Sequence, residues 1–413
     1  MNEVTPQIFT LPNGLRCVFQ PVKNQVAHAG ITVLAGSRFE NEDEEGLAHF
    51  LEHCIFKGTV KRKTFHILSR LDSVGGELNA YTAKEEICVY ASFSKKYLSR
   101  SLEILADIVF NSTFPEKEIQ REKEVILDEI NSYLDNPSEG IFDEFEEHLF
   151  QNHPLGRNIL GTEKTVYSFD REKLIAYINR YFGPENMVLS IVGQYSPEKI
   201  KKLVERYFSD YAGPGKAPIL KPFGEYKPFN IQVEKSNYQS HVLIGNIAYP
   251  YKAKEQKAMF LLNNILGGPA LNSRLLLSVR EKYGYSYNIE SSYTPYVDTG
   301  FFNIYFGGDK KYVQKSIRVI LLELKKLREQ KLGLIQLAKA KEQLKGHLDL
   351  AGESNSGLML ALGKSLLMFN QIDTMKEIYH EIDAITAENL QDISNEIFNE
   401  NLLSYLIYQP KEE

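Results

Sequence analysis

The segment His49-Phe50-Leu51-Glu52-His53 sets two imidazoles four residues apart with a carboxylate between them. On a helix, residues i and i+4 emerge on one face, one turn apart. That spacing lets two ring nitrogens reach a single Zn²⁺ at about 2.0–2.1 Å. Glu52 lies beside them and can take a proton from water without ligating. The flanking residues Leu47, Ala48, Phe50, Leu51, Cys54, Ile55 and Phe56 are apolar almost all round, so the helix is expected to be buried. Three ionisable groups in such a helix are unfavourable unless they hold a metal or form a satisfied network. An isolated pair of histidines at this spacing reads more readily as two core residues hydrogen-bonded to an acid; the inserted Glu52 and the apolar surroundings favour the metal reading.

A catalytic zinc needs a third protein ligand and an open position. Residues 116–133 offer candidates. Ile119, Ile126, Ile130 and Tyr133 fall at i, i+7, i+11 and i+14, a buried helical stripe, and Glu122 and Glu129 lie on the same stripe. Glu118, Lys123 and Asp128 are expected to point outward. Helical register does not separate Glu122 from Glu129 as the third ligand.

The elements that must position these groups belong to an ordinary globular chain. It has 413 residues, 43% of them hydrophobic and 25% charged, enough for two to four domains and too apolar for a disordered one. The 48 Lys and Arg against 54 Asp and Glu leave a net charge of -6, which excludes a general nucleic-acid or anionic-membrane binder. Three cysteines (Cys17, Cys54, Cys88) are too few for a disulfide scaffold and suit a reducing compartment. No secretory or transit signal is visible at the start, and the most apolar stretch, 358–369, is short and carries Lys364, so it reads as a buried helix. A cytoplasmic protein is the expectation.

Asn13-Gly14 predicts a hairpin between strands at 7–10 and 15–19. Further strands are expected at 31–34, 77–82, 87–93 and 187–192. Helices are expected at 46–56, 64–73, 95–110, 115–133, 139–150 and 197–208. Residues 211–228 hold Pro214, Pro218, Pro222 and Pro228 with Gly213, Gly215 and Gly224, a linker composition. The halves on either side are related. Shifting by 210 positions aligns Glu45, Ala48, Phe50, Leu51, Ile55 and Gly58 with Glu255, Ala258, Phe260, Leu261, Ile265 and Gly268. The expected architecture is α+β: two homologous domains, 1–210 and 229–413, each a mainly antiparallel sheet packed with several helices. Met259, Leu262 and Asn263 stand where the first half has His49, Glu52 and His53. The shared residues are packing residues and the polar triad is in one copy only, which marks a site grafted onto the first half.

His-x-x-Glu-His is the inverzincin pattern. With its surroundings, Gly46-Leu47-Ala48-His49-Phe50-Leu51-Glu52-His53-Cys54-Ile55-Phe56-Lys57-Gly58-Thr59, it resembles the pitrilysin/insulinase family of zinc peptidases, nearest to the branch of mitochondrial processing peptidase and its bacterial relatives. Gly75-Gly76-Glu77-Leu78-Asn79-Ala80-Tyr81-Thr82, Glu122-Lys123-Glu124-Val125-Ile126-Leu127-Asp128-Glu129-Ile130 and His153-Pro154-Leu155-Gly156-Arg157 fit the same family. So do Leu266-Gly267-Gly268, Ser273-Arg274-Leu275 and the run from Arg280 to Tyr287 in the second half. The glycine segment Gly267-Gly268-Pro269 is short, without the long glycine-rich loop of the processing peptidase's noncatalytic subunit.

The resemblance implies a metalloendopeptidase with one Zn²⁺ per chain, held by His49, His53 and Glu129. Glu122 would be a supporting acid and Glu52 the general base. Arg280 and Tyr287 would bind substrate and stabilise the tetrahedral intermediate, roles for which a guanidinium and a phenol are suitable donors. The strand carrying Asn79 and Ala80 would pair with an extended, unfolded peptide substrate. The resemblance further implies a homodimer, a two-chain shell whose active sites are completed between chains. The rival reading is a noncatalytic scaffold or chaperone-like subunit of the same fold.

Overall fold

The computed structural model describes residues 5–213 and 217–411. Pro214 and Gly215 of the expected linker, and residues 1–4 of the segment read for a targeting signal, lie outside the described residues. The first half runs β1 (Gln7–Thr10), β2 (Arg16–Pro21), β3 (Val26–Val33), α1 (Leu47–Cys54), α2 (Thr64–Asp72), β4 (Glu77–Thr82), β5 (Ile87–Ser94), α3 (Leu98–Asn111), α4 (Glu116–Leu134), α5 (Pro137–Leu149), α6 (Glu163–Ser168), α7 (Arg171–Tyr181), β6 (Met187–Gly193) and α8 (Pro197–Phe208). The second half runs β7 (Asn230–Lys235), β8 (Ser240–Ala248), α9 (Gln256–Gly267), β9 (Asn288–Pro295), β10 (Gly300–Gly308), α10 (Val313–Glu329), α11 (Leu334–Gly352), α12 (Asn355–Phe369), α13 (Met375–Ala384), α14 (Ala387–Ile397) and β11 (Ser404–Pro410).

The strands form two sheets, ordered β1-β2-β6-β3-β5-β4 and β7-β11-β8-β10-β9. Without β1 the two orders are identical. Each sheet has one parallel pair, β2 with β6 and β7 with β11, and is otherwise antiparallel. The internal repeat is therefore a repeat of topology. It also recurs in a turn: Lys95-Lys96-Tyr97 and Lys310-Lys311-Tyr312 form the 3₁₀ turns that open α3 and α10.

Two compact units result. The first comprises 1–131, 157–220 and 350–374; the second comprises 132–156, 221–349 and 375–413. They depart from the boundaries expected at the linker, because each half lends a helix to the other unit. In the first unit α12 lies on β2, β3 and β6, where Met359, Leu362, Leu366 and Leu367 pack on Val18, Val188 and Val192. Burying each of these side chains stabilises by about 1.5–3 kcal/mol. In the second unit α5 lies on β8 and β11, with Phe145 and Leu149 against Leu243 and Leu406. Room for each helix comes from a glycine in the central strand. A Cβ on Gly30 would stand 2.7 Å from the Met359 sulfur, and one on Gly245 would stand 2.9 Å from the Phe145 ring. Composition and spacing predict that 358–369 is a buried helix, but not which sheet it covers.

Covered on both faces, β3 is buried from its second residue onward, whereas β4, at the edge of the first sheet, alternates and stays half exposed. The main core of the first unit gathers α1, α3 and α7 with the sheet's other face, through Leu47, Phe50, Leu51, Leu102, Leu105, Leu174 and Tyr177. Helix α7 was not among the expected helices. Two expectations for α4 need correction. Lys123 points inward: it is 6% exposed and its Nζ donates to the Tyr167 carbonyl at 2.9 Å, because α6 lies over that side of α4. Tyr133, placed on the buried stripe, is 37% exposed at the C-terminal end of the helix. Among the described residues, no helix is long and apolar enough to cross a membrane.

Candidate metal centre and catalytic site

Helix α1 is short and almost wholly buried, with Leu47, Ala48, Phe50, Leu51 and Cys54 in the core. This fixes its rotation, so His49, Glu52 and His53 share the remaining face. The two imidazole centroids are 4.7 Å apart at an interplanar angle of 62°. Helix α4 buries Ile119, Glu122 and Ile126, and its register carries Glu129 to the same place.

The structure separates the two acids that register alone could not. Glu129 Oε2 stands 3.7 Å from His49 Nε2 and 3.6 Å from His53 Nε2. One donor atom from each of these three residues lies within 4.8 Å of the others. Glu122 faces the other nitrogen of His53: its Oε2 is 3.3 Å from Nδ1, and its Oε1 is 2.7 Å from Lys57 Nζ. Burial raises the Glu122 carboxyl, but His53 and Lys57 outweigh that and hold it below its ordinary value.

These donors fit a zinc ion. Tetrahedral ligands at about 2.0–2.1 Å from a metal are roughly 3.4 Å from one another, close to the separations from Glu129 to the two Nε2 atoms. Burial, with His53 nearby, pushes the His49 pKa down to about 4, so the ring is neutral and its Nε2 is available near neutral pH. Cys54, adjacent in sequence, is outside the donor set. It is 1% exposed, and burial keeps its thiol protonated.

Glu52 does not join the ligand triad. Its Oε2 accepts a hydrogen bond from Thr82 Oγ1 at 2.6 Å. Burial raises the Glu52 carboxyl and Glu129 adds to this, while Thr82 and His53 partly offset it. A carboxylate with a raised pKa, held by one hydroxyl beside a metal triad, has the properties of a proton acceptor. Thr82 is the last residue of β4. Asn79 and Ala80 sit on this strand opposite Tyr90 and Val89 of β5, and no further strand pairs with its outer side among the described residues. Asn79 is exposed, and its Oδ1 accepts from the Ala80 N–H at 3.1 Å.

Arg280 and Tyr287 belong to the second unit and lie together, the guanidinium 5.2 Å from the Tyr287 ring centroid. Arg280 sits in a π-helical turn, Leu276–Glu281, a distortion that often marks functional positions. Tyr287 is 83% exposed. Sequence reasoning gave no role to Lys57 and Thr82. Both lie in quoted motifs, but neither type nor spacing says that a lysine holds Glu122 or that a strand-end threonine holds Glu52.

Similarity to known proteins extends over nearly the whole chain. Residues 18–163 match the insulinase family (peptidase family M16), and residues 168–344 match the peptidase M16 inactive domain. The chain is 35% identical over 402 residues, 97% of each protein, to an uncharacterized zinc protease, YmxG, of Bacillus subtilis. It is 34% identical to an uncharacterized zinc protease of Rickettsia bellii, over 96% of each chain. A protease from Helicobacter pylori has the same fold, with a TM-score of 0.91 over 98% of this chain and all of that one, at 23% identity. Matched over residues 18–163 and 168–344, and related over nearly its whole length to proteins named zinc proteases, the chain belongs to the insulinase (M16) peptidase family.

Proposed function

We propose that the protein is a zinc metalloendopeptidase that hydrolyses unfolded peptides or small polypeptides. The observation that carries this reading is the convergence of His49 Nε2, His53 Nε2 and Glu129 Oε2, with the Glu52 carboxylate alongside on α1. The names of the bacterial relatives support it.

In this reading His49, His53 and Glu129 hold one Zn²⁺ per chain. Bound there, the ion supplies a Lewis acid that polarises the scissile carbonyl and makes water more acidic. Glu122 fixes the ring of His53 through Nδ1 and so aims Nε2 at the site. Glu52, oriented by Thr82, takes the proton from the attacking water and delivers it to the nitrogen of the leaving amine. The outer side of β4, with Asn79 and Ala80, offers main-chain groups to an extended peptide, which favours unfolded substrates over folded ones. Arg280 and Tyr287 donate to the developing oxyanion. Chains pair as a homodimer in which this pair of one protomer serves the substrate of its partner.

The experiment is hydrolysis of a quenched peptide library by protein of measured zinc content. Cleavage that follows zinc occupancy supports the peptidase. A zinc-loaded, folded protein that binds peptides without cutting them would instead be a noncatalytic subunit of the same fold.

A further inference from the structure

The helix that carries His49 and Glu52 begins without a cap of its own. Its N-cap is Gly46, which offers no side-chain acceptor, so the first N–H groups of α1 need a partner from elsewhere. Glu40 supplies it. This side chain is 4% exposed; its Oε2 accepts the Gly46 N–H at 3.0 Å and its Oε1 accepts the Ala48 N–H at 2.7 Å. A carboxyl group at a helix N-terminus also meets the favourable end of the helix dipole. On the opposite side, Gly46 adopts a left-handed φ of 92°, and a Cβ there would stand 2.6 Å from the Leu160 carbonyl oxygen. The first turn of α1 is thus held between Glu40 and the 160–161 backbone.

Glu40 is itself held. Arg157 Nη1 donates to the Glu40 carbonyl at 2.7 Å, and Lys84 Nζ donates to the Arg157 carbonyl at 2.7 Å. Lys84 lies two residues beyond Thr82, whose hydroxyl orients Glu52. Both ends of α1 are therefore referenced to the end of β4.

We infer that Glu40, clamped by Arg157, is a positioning residue that sets the first turn of α1 so that His49 meets Glu129. The inference rests on the metal-centre reading above. Ala48, whose N–H Glu40 holds, immediately precedes His49, so a shift of this turn carries the imidazole with it. Productive metal geometry tolerates only about 0.5 Å of such movement. The chemistry selects a carboxyl group at position 40. In either protonation state it turns an oxygen to each N–H, whereas a glutamine amide must turn its NH₂ group toward one of them.

Glu44 provides the control. It lies in the same segment, is 6% exposed, pairs with Arg180 through two contacts of 2.8 Å and accepts the Asn41 N–H at 3.0 Å, and none of these bonds goes to α1. Zinc affinity is measured by competition with a chelator in wild type, Glu40→Gln and Glu44→Gln, together with melting temperature and amide exchange of α1 in metal-free protein. We expect Glu40→Gln to weaken zinc binding by about 10–100-fold, the usual effect of losing a residue that supports a ligand, and to speed exchange of α1. Glu44→Gln should bind zinc as wild type does even if it melts earlier. Equal affinities in all three proteins, or equal losses in both variants, would overturn the inference. If wild type takes up no zinc, the metal reading fails on its own, and unchanged α1 exchange in Glu40→Gln would separately reject the clamp. Should Glu40→Gln not fold, Arg157→Met removes the bond to the Glu40 carbonyl together with the guanidinium charge that acts on the Glu40 carboxyl; wild-type affinity and exchange in that variant would count against the clamp.

Discussion

His53 is held from both sides: Glu122 Oε2 stands 3.3 Å from its Nδ1, while Nε2 faces Glu129 at 3.6 Å. The two acids, two turns apart on one helix, meet opposite edges of the same ring, and this division predicts different consequences for their loss. Glu129→Gln should lose most of the bound zinc. Glu122→Gln should keep close to one zinc per chain with reduced turnover, since only the orientation of His53 is loosened. Elemental analysis of the purified variants decides; the reverse pattern would exchange the roles.

The bond from Thr82 to Glu52 predicts a pH effect. Burial raises the Glu52 carboxyl, and the Thr82 hydroxyl partly offsets that by stabilising the charged form. In Thr82→Val the offset is lost and the pKa rises, so the acidic limb of kcat/KM should move to higher pH while zinc content stays unchanged. A limb that stays in place or moves to lower pH would mean that Thr82 does not tune the base.

The surroundings of two glycines predict opposite signs for their substitution. A Cβ at Gly245 would collide with the Phe302 carbonyl oxygen and approach the Phe145 ring of α5, whereas at Gly346, inside α11, it would meet nothing within 4 Å. Gly245→Ala should destabilise by about 1–3 kcal/mol. Gly346→Ala should stabilise by about 0.4–1 kcal/mol. Melting temperatures of the two variants, each against wild type, test the assignment; a neutral Gly245→Ala would show that α5 does not press on β8.

The proposed sharing of sites between protomers predicts complementation. Glu52→Gln and Tyr287→Phe proteins, each inactive alone, should regain up to about half of wild-type activity per mixed dimer after chain exchange, because a two-fold dimer then holds one intact site. Exchange without recovery would show that each chain serves itself, and a monomeric mass in active fractions would reject the dimer.

Much of this molecule is written locally. The dihistidine helix, the inward face of α4 around Glu122 and Glu129, and the strands at 77–82 and 87–93 follow from periodicity and residue type, and the second half repeats the topology without the polar triad. What is not local could not be read. Which sheet α12 covers depends on contacts some 330 residues apart, such as Met359 on Gly30. The separation of Glu129 from Glu122 depends on where His53 points its two nitrogens, and the fit of Lys123 under α6 on a helix the periodicity did not reveal. The role of Glu40 depends on a glycine N-cap six residues away that has no acceptor of its own.

The central claim is that Glu52 moves the proton in a zinc-dependent hydrolysis. Zinc content and cleavage of a quenched peptide, measured side by side in wild type and Glu52→Gln, test it most directly. Expected are about one zinc per chain in both proteins, cleavage by wild type that chelation abolishes and zinc restores, and a loss of about 10²–10⁴-fold in Glu52→Gln. Near-normal cleavage by zinc-loaded Glu52→Gln would contradict it.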